Sequence, residues 1–235
     1  VPIHCIAGCS SGAMIGGLYA SLQNIDQVEQ IFANLEKKEF IGAFLDPLAK
    51  DGLIRGTRVI NLFEKYTKGL MIEDLPIKYG ALTADLISGQ SVVLDHGKLA
   101  TAMRASCSVP LIFQPVRHRG RKLVDGAALS PVPVQLCRRL GATKVIAVNL
   151  YHNLFANDNE VKGGVQVALK TTHLMLKQLA EYDCRLADIT IYPKILEPHT
   201  YQIFRRFINH PEVIKAGELA AEAALKNGLC SLVGS

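Results

Sequence analysis

A five-residue turn near the start of the chain constrains its fold more than any other feature. Residues 8–12 read Gly-Cys-Ser-Ser-Gly. They follow an apolar run at residues 3–7, and a helical pattern begins at Ser11, within the last two residues of the turn. Strand, tight turn and helix in this order are typical of a turn that exposes a serine at the edge of an α/β sheet. Glycines are expected at positions 8 and 12 because a side chain there would clash where the chain turns sharply.

Ser10, at the centre of this turn, is the candidate nucleophile. The helix that follows directs free backbone N–H groups and the positive end of its dipole toward the hydroxyl. This environment favours the negative charge that develops when an ester carbonyl is attacked. An idle serine in a glycine-rich turn is the alternative, because Gly-x-Ser-x-Gly has only three fixed positions.

The remaining composition is that of an ordinary globular chain. With 235 residues, of which 49% are hydrophobic and 20% charged, the chain suits one large domain, residues 1–235, with a substantial core. A net charge of +5 gives no strong case for nucleic acid as a partner. No apolar stretch reaches the roughly 18 residues that suggest a spanning helix. Six scattered cysteines without a Cys-x-x-Cys pair indicate reduced thiols in a cytoplasmic protein.

Strand and helix patterns alternate along the chain. The predicted strands are residues 3–7, 78–86, 91–95, 121–124, 144–150 and 188–192. The predicted helices are residues 11–22, 25–37, 57–66, 97–106, 132–140, 164–183 and 211–228. Two prolines within residues 109–116 exclude a helix interior and predict an extended segment there. The alternation is typical of an α/β protein with a mainly parallel sheet covered by helices on both faces.

A serine nucleophile needs a base, and the sequence offers two kinds. Asp125 ends an apolar strand and precedes Gly126, so its carboxylate can lie at the open rim of the sheet. Asp-Gly pairs are also common in simple turns, and Asp51-Gly52 is interpreted as one. A histidine held by a carboxylate is the usual alternative. His152 is the best placed of seven histidines, although its position is more typical of an ordinary loop residue.

Three blocks of the sequence together resemble the patatin-like phospholipase family, most closely its bacterial members related to neuropathy target esterase. The blocks are residues 8–20, residues 103–116 and residues 123–134. They follow the family's order, and the resemblance covers residues 1–150 well and the rest only loosely. It implies a three-layer α/β/α sandwich with a mainly parallel central sheet.

The resemblance also implies a chemistry. Members of this family hydrolyse acyl esters such as phospholipids, lysophospholipids and neutral lipids through an acyl-enzyme, with a Ser/Asp dyad and no histidine. Ser10 is then the implied nucleophile and Asp125 the implied base. The positions implied to shape the turn, the oxyanion site and the loop beside the base are Gly8, Ser11, Gly12, Gly126 and Ala127. Neither a metal nor an organic cofactor is implied.

One departure from the family leaves two further hypotheses open. The family carries a glycine-rich loop with an arginine shortly before the nucleophile strand, and the N–H groups of that loop hold the oxyanion. The sequence begins with Val1, so we expect the first strand and this loop to be missing and activity to be impaired. The second hypothesis is therefore a non-catalytic lipid-binding or regulatory module with this fold. The third is a histidine-dependent esterase or acyltransferase.

The partners expected from the sequence are lipids. An acyl-ester lipid is the expected substrate, and peripheral contact with a membrane is a candidate addition to a cytoplasmic location. The basic run at residues 117–122 either attracts an anionic bilayer or forms the solvated tip of a hairpin, and we favour the hairpin. The apolar segment at residues 38–50 either shapes an acyl pocket or packs in the core, and core packing is the simpler interpretation.

Overall fold

A computed structural model describes residues 1–34, 42, 54–152, 163–195 and 211–226. The chain divides into two compact units, one of residues 2–142 and one of residues 143–235 with Val1. The described strands of the first unit are β1 (Cys5–Cys9), β2 (Lys78–Asp85), β3 (Ser91–Leu94), β4 (Val116–His118) and β5 (Arg121–Asp125). Its described helices are α1 (Ser11–Leu22), α2 (Ile25–Asn34), α3 (Thr57–Thr67), α4 (Leu99–Ser106) and α5 (Val134–Arg139), with 3-10 turns at Ile72–Asp74 and Gly126–Ala128.

Strand β2 is the template on which this sheet is built. Strand β1 pairs in parallel with residues 78–82 of β2, and β5 pairs antiparallel with residues 83–85. Strand β3 pairs antiparallel with residues 81–84, so it lies across β2 from both of them. Strands β1 and β5 therefore lie one after the other along the same side of β2, and their carboxyl ends meet beside Leu82 and Thr83.

Helices cover both faces of the sheet. Successive residues of a strand point to opposite faces. Tyr79 of β2 is buried toward α1 and donates its hydroxyl to the Ala13 carbonyl at 2.7 Å. A Cβ added at the next residue, Gly80, would instead lie 3.3 Å from Leu136 of α5. This unit is therefore layered helix, sheet, helix, as predicted, and its sheet is mixed, since β1–β2 is parallel and the β2–β3, β2–β5 and β4–β5 pairs are antiparallel.

One apolar core fixes the position of α4. Leu99 and Met103 of this helix are fully buried. A Cβ at Gly17 of α1 would lie 3.1 Å from the ends of both side chains, so the glycine lets the two helices approach closely. Leu18 and Phe63 belong to the same cluster. Packing on this side of the sheet therefore sets where the carboxyl end of α4 points.

The second unit has its own small sheet. Strands β6 (Ile146–Val148) and β7 (Ile189–Ile191) pair in parallel, and its described helices are α6 (Gly164–Cys184) and α7 (Pro211–Ala224). The helical crossover α6 between them is the usual way to connect two parallel strands. Asp188, just before β7, accepts the Val145 N–H at 2.8 Å and pairs with Lys144 at 3.3 Å. In the ranges that the structure describes, no helix has both the length and the apolar character needed to cross a bilayer.

Most predicted elements are confirmed, and residues 109–116 are the clearest correction. Residues 110–112 form a turn, in which the N–H groups of Ile112 and Phe113 donate to the Val109 carbonyl at 3.2 and 3.0 Å. The prolines exclude a helix, but Pro110 also suits a turn, and the extended prediction overlooked that option. Strand β1 also differs, since it runs from Cys5 to Cys9.

The basic run forms the hairpin that the sequence predicted. His118 pairs with Arg121, and Arg119 and Gly120 form the turn with φ of 47° and 78°. The last predicted residues of α2 and of the final helix, most of the apolar segment at residues 38–50 and the Asp51-Gly52 pair lie outside the described residues.

Candidate active site

The serine turn has a backbone conformation that few side chains adopt. Ser10 has φ 53° and ψ −122°, a strained region typical of functional turns. The N–H of Met14 donates to the Ser10 carbonyl at 3.1 Å and starts helix α1. A Cβ at Gly8 would overlap the backbone of Gly12 and Ala13, so the predicted clash is confirmed at that position.

Gly12 does not have the packing role predicted for it. A Cβ at this position would meet no heavy atom within 4 Å, and the residue is exposed. The prediction treated both glycines of the turn alike. Only the first lies where the chain folds back on itself, and the second faces open space beside Ser10.

Asp125 ends β5 and lies beside the end of β1. The residue is buried, with 5% of its surface exposed, and its Oδ1 accepts the Ala127 N–H at 3.0 Å and the Cys9 thiol at 3.3 Å. The Ser10 side chain is near enough to this carboxyl group to lower its pKa. A Cβ at Gly126 would lie 2.5 Å from the Leu82 carbonyl oxygen, so glycine is required where the chain leaves the sheet. The structure therefore brings Ser10 and Asp125 together.

Burial decides the acidity of the groups around Asp125. Desolvation raises the pKa of the Asp125 carboxyl, while hydrogen bonds from Ser10, Ala127 and Cys9 oppose that rise. Burial, followed by the nearby Asp125 charge, raises the pKa of the Cys9 thiol well above its usual range. Cys9 is therefore a neutral donor at neutral pH and a poor nucleophile.

Three successive residues at the carboxyl end of α4, Ser106, Cys107 and Ser108, bond to the serine turn and to Asp125. The fully buried Ser106 hydroxyl accepts the Ser10 N–H at 3.0 Å and donates to the Leu82 carbonyl at 2.7 Å. The Cys107 thiol donates to the Ser10 carbonyl at 3.2 Å, and the Ser108 carbonyl accepts the Asp125 N–H at 3.0 Å. Sequence reasoning did not single out these residues, although they lie inside the second block of the family resemblance.

Arg104 supports this Ser106–Ser108 segment from within the core. The guanidinium is buried, donates to the Ser108 hydroxyl at 2.7 Å and to the Arg55 carbonyl at 3.0 Å, and lies 4.6 Å from the centre of the Phe113 ring. A Cβ at Gly56, where φ is 77°, would overlap the guanidinium. Arg104 therefore ties the chain at residues 55–56 to the segment that holds the serine turn.

The candidate oxyanion donor lies at the start of α1. The Ser10 N–H is engaged by Ser106, so it is not directed at a substrate. Ser11 is the first residue of α1, where backbone N–H groups lack partners within the helix. Its N–H, next to the Ser10 hydroxyl in the chain, is the group best placed to receive a developing negative charge.

The histidine alternative finds no support at Ser10. Within residues 2–34 and 54–142, the hydrogen bonds of the Ser10 and Asp125 side chains go to no histidine. His152 belongs to the other unit, where its ring pairs with Glu181 at 2.8 Å and lies 4.6 Å from the ring of Tyr192. Among the residues that the structure describes, no cluster of three or more His, Cys, Asp or Glu side chains could hold a metal ion.

Comparison of the sequence with models of known protein families identifies the family of this chain. The family model described as patatin-like phospholipase matches residues 1–138, more than half of the chain. The chain therefore belongs to the patatin-like phospholipase family. The match spans the serine turn, the Ser106–Ser108 segment and Asp125, and it confirms the predicted α/β fold class.

Individual relatives place the chain near the neuropathy target esterase (NTE) branch, as the sequence predicted. An uncharacterized NTE family protein of Mycobacterium tuberculosis is 34% identical over 146 residues, which are 62% of this chain and 40% of the relative. Another from the same organism is 28% identical over 250 residues, covering 96% and 42%. Patatin-like phospholipase domain-containing protein 7 of Rattus norvegicus is 28% identical over 158 residues, covering 64% and 12%. The chain thus spans about two fifths of the length of the mycobacterial relatives.

Proposed function

We propose that this chain is a lipid acyl hydrolase in which Ser10 is the nucleophile and Asp125 the general base. The observation that carries the proposal is that the Ser10 turn lies against the buried Asp125 carboxyl: the neighbouring Cys9 thiol donates to this carboxyl at 3.3 Å, and the Ser10 side chain lowers its pKa. Membership of the patatin-like phospholipase family supports hydrolysis of lipid esters as the reaction class. A phospholipid, a lysophospholipid or another acyl ester would be the substrate.

In the first half of the reaction the acyl group moves to the enzyme. The Asp125 carboxylate takes the Ser10 hydroxyl proton as the serine oxygen attacks the ester carbonyl. The resulting oxyanion is stabilised by the Ser11 N–H and the positive end of α1. The carbon–oxygen bond to the alcohol then breaks, the alcohol takes the proton from Asp125, and an acyl ester on Ser10 remains.

In the second half water releases the acid. Asp125, ionised again, takes a proton from a water molecule that attacks the acyl carbonyl. The bond to the Ser10 oxygen breaks, and Ser10 recovers its proton from Asp125. A carboxylic acid leaves, and every proton transfer is carried by the same carboxyl group.

A fluorophosphonate probe with mass spectrometry tests the proposal. The probe should label Ser10, and Ser10→Ala should abolish labelling, whereas Ser11→Ala should retain it because the backbone N–H remains. Asp125→Asn should lower ester turnover by about 100-fold or more, the usual contribution of a general base.

Two outcomes would contradict this mechanism. Labelling that survives Ser10→Ala would remove the nucleophile, and normal turnover by Asp125→Asn would remove the base. A folded protein that binds lipid but is neither labelled nor active would instead support the non-catalytic module.

A further inference from the structure

Apolar side chains project from the turn that follows β2. Leu86 and Ile87 are 60% and 72% exposed, although both are large aliphatic residues. The turn is held firmly, because the Asp85 carboxylate accepts the Ile87 N–H at 3.2 Å and the Ser88 hydroxyl at 2.8 Å. Exposed aliphatic side chains on an ordered turn are typical of an interaction surface.

Basic side chains lie directly beside this turn. The Leu86 N–H donates to the Lys122 carbonyl at 2.8 Å and extends the β2–β5 pairing by one residue. Lys122 in turn pairs with Arg117 of β4. Residues opposite each other on antiparallel strands share a face of the sheet. Leu86, Lys122 and Arg117 therefore form one cross-strand row.

The charge of this row is of one sign. Residues 111–124 include four basic side chains and no acidic one, and residues 86–94 include no acidic one either. Asp85 is the nearest carboxylate along β2, but it is buried and occupied by the turn. Guanidinium and ammonium groups beside exposed aliphatic chains match a layer of anionic headgroups over acyl chains.

The row lies on the same two strands as Asp125 and its pairing partner Thr83. Lys122 and Asp125 are three residues apart on β5, which is about 10 Å at the rise of a strand. Leu86 lies equally far along β2 from Thr83, the partner of Asp125. Because residues three apart on a strand point to opposite faces, the row and the Asp125 side chain lie on different faces of the sheet.

We propose that Leu86, Ile87, Arg117 and Lys122 form a patch that docks on an anionic phospholipid bilayer. This docking patch rests on the proposed function for its purpose, since it would bring the hydrolase to its substrate. Its binding chemistry is independent of Ser10, so docking can be measured without turnover.

Sedimentation with vesicles tests docking on the full chain carrying Ser10→Ala. We expect binding to equimolar phosphatidylcholine and phosphatidylglycerol, weaker binding to phosphatidylcholine alone, and release at high salt. The pair Arg117→Glu and Lys122→Glu should weaken binding at least about ten-fold, since each basic residue near the surface contributes about five-fold. The pair Leu86→Ser and Ile87→Ser should weaken it by a similar factor of about ten.

Matched variants elsewhere in the same unit are the controls. Lys68→Glu with Arg139→Glu changes the charge equally, and Ile3→Ser with Ile25→Ser removes aliphatic chains that are 46% and 58% exposed. Both pairs should bind as the parent does, and circular dichroism should show that all variants fold. Absence of vesicle binding, or binding that the patch variants leave unchanged, would overturn the proposal. A chain that binds vesicles through the patch but is not labelled at Ser10 would overturn the hydrolase proposal alone.

Discussion

At the scale of single residues, the candidate site depends on how a buried carboxylate keeps its charge. Desolvation favours the protonated form of Asp125, and three hydrogen bonds favour the carboxylate. Of the three donors, Ser10 is the proposed nucleophile, and Ala127 donates through its backbone N–H. The third is the Cys9 thiol, which burial keeps protonated. Cys9 is therefore expected to act as a positioning residue for the base.

Replacement of Cys9 should move the pH profile of the reaction. Only the ionised Asp125 accepts a proton, so activity falls as the pH drops through its pKa, which burial raises above the ordinary aspartate value. Cys9→Ala removes a bond that favours the carboxylate, so the acidic limb of kcat/KM should shift to higher pH. Cys9→Ser keeps a donor and should restore the limb toward its original position.

The control for Cys9 is the other thiol at the turn. Cys107→Ala removes a donor to the Ser10 carbonyl, not to Asp125, and should leave the acidic limb where it is. An unmoved limb in Cys9→Ala, in a variant that folds and turns over substrate, would show that the thiol does not act on the base.

At the scale of elements, the carboxyl end of α4 joins β1 and β5, two strands that do not pair with each other in the sheet. Ser106 bonds the serine turn to β2, and Ser108 bonds β5 through the Asp125 N–H. Burial of Leu99 and Met103 against α1 fixes where this end of α4 lies. The helix therefore positions Ser10 and Asp125 together.

Ser106→Ala should affect both stability and reactivity. It leaves the Leu82 carbonyl and the Ser10 N–H without their buried partner, which costs about 1–3 kcal/mol in the free energy of unfolding. Denaturant titration should show this loss, and probe labelling of Ser10 should slow because the strained turn is no longer held.

Ser21→Ala is the matched control for this prediction. The Ser21 hydroxyl donates to the Leu18 carbonyl within its own helix at 2.8 Å, so its loss should change the labelling rate little. Labelling in Ser106→Ala at the parent rate would show that the turn keeps its geometry without the segment.

Sequence patterns predicted the elements better than the contacts between them. Periodicity and glycine breakers are local, so α1 was predicted at its observed bounds and β2 to within one residue. The turn at Pro110 was missed because a proline suits extended and turn backbone alike. The role of Ser106 could not be predicted, because it depends on the register that brings β1 and β5 to one side of β2.

At the scale of the whole molecule, the proposed chemistry belongs to one of the two units. Ser10, Asp125 and the hydrogen bonds around them lie within residues 2–142. The other unit has a separate polar cluster, in which Glu181 accepts from buried Asn149 at 3.3 Å and pairs with His152. The chain spans about two fifths of the length of its mycobacterial relatives.

His152→Ala should therefore leave the Ser10 labelling rate within about two-fold of the parent, as expected for a residue without shared partners. Its own effect should be a small loss of stability from the exposed pair with Glu181. Thermal unfolding and probe kinetics on the same sample separate the two effects. A folded His152→Ala protein that no longer reacts would favour the histidine-dependent mechanism.

The end-to-end placement of β1 and β5 has a consequence for how the protein matures. Cys9 and Asp125 are 116 positions apart, and neither strand can bring its half of the pair into place until β2 has accepted both. Contacts between segments so distant in sequence form slowly. A chain that has docked its first strand but not the later hairpin would be compact yet inert, so the onset of the proposed esterase activity would time the final step of folding.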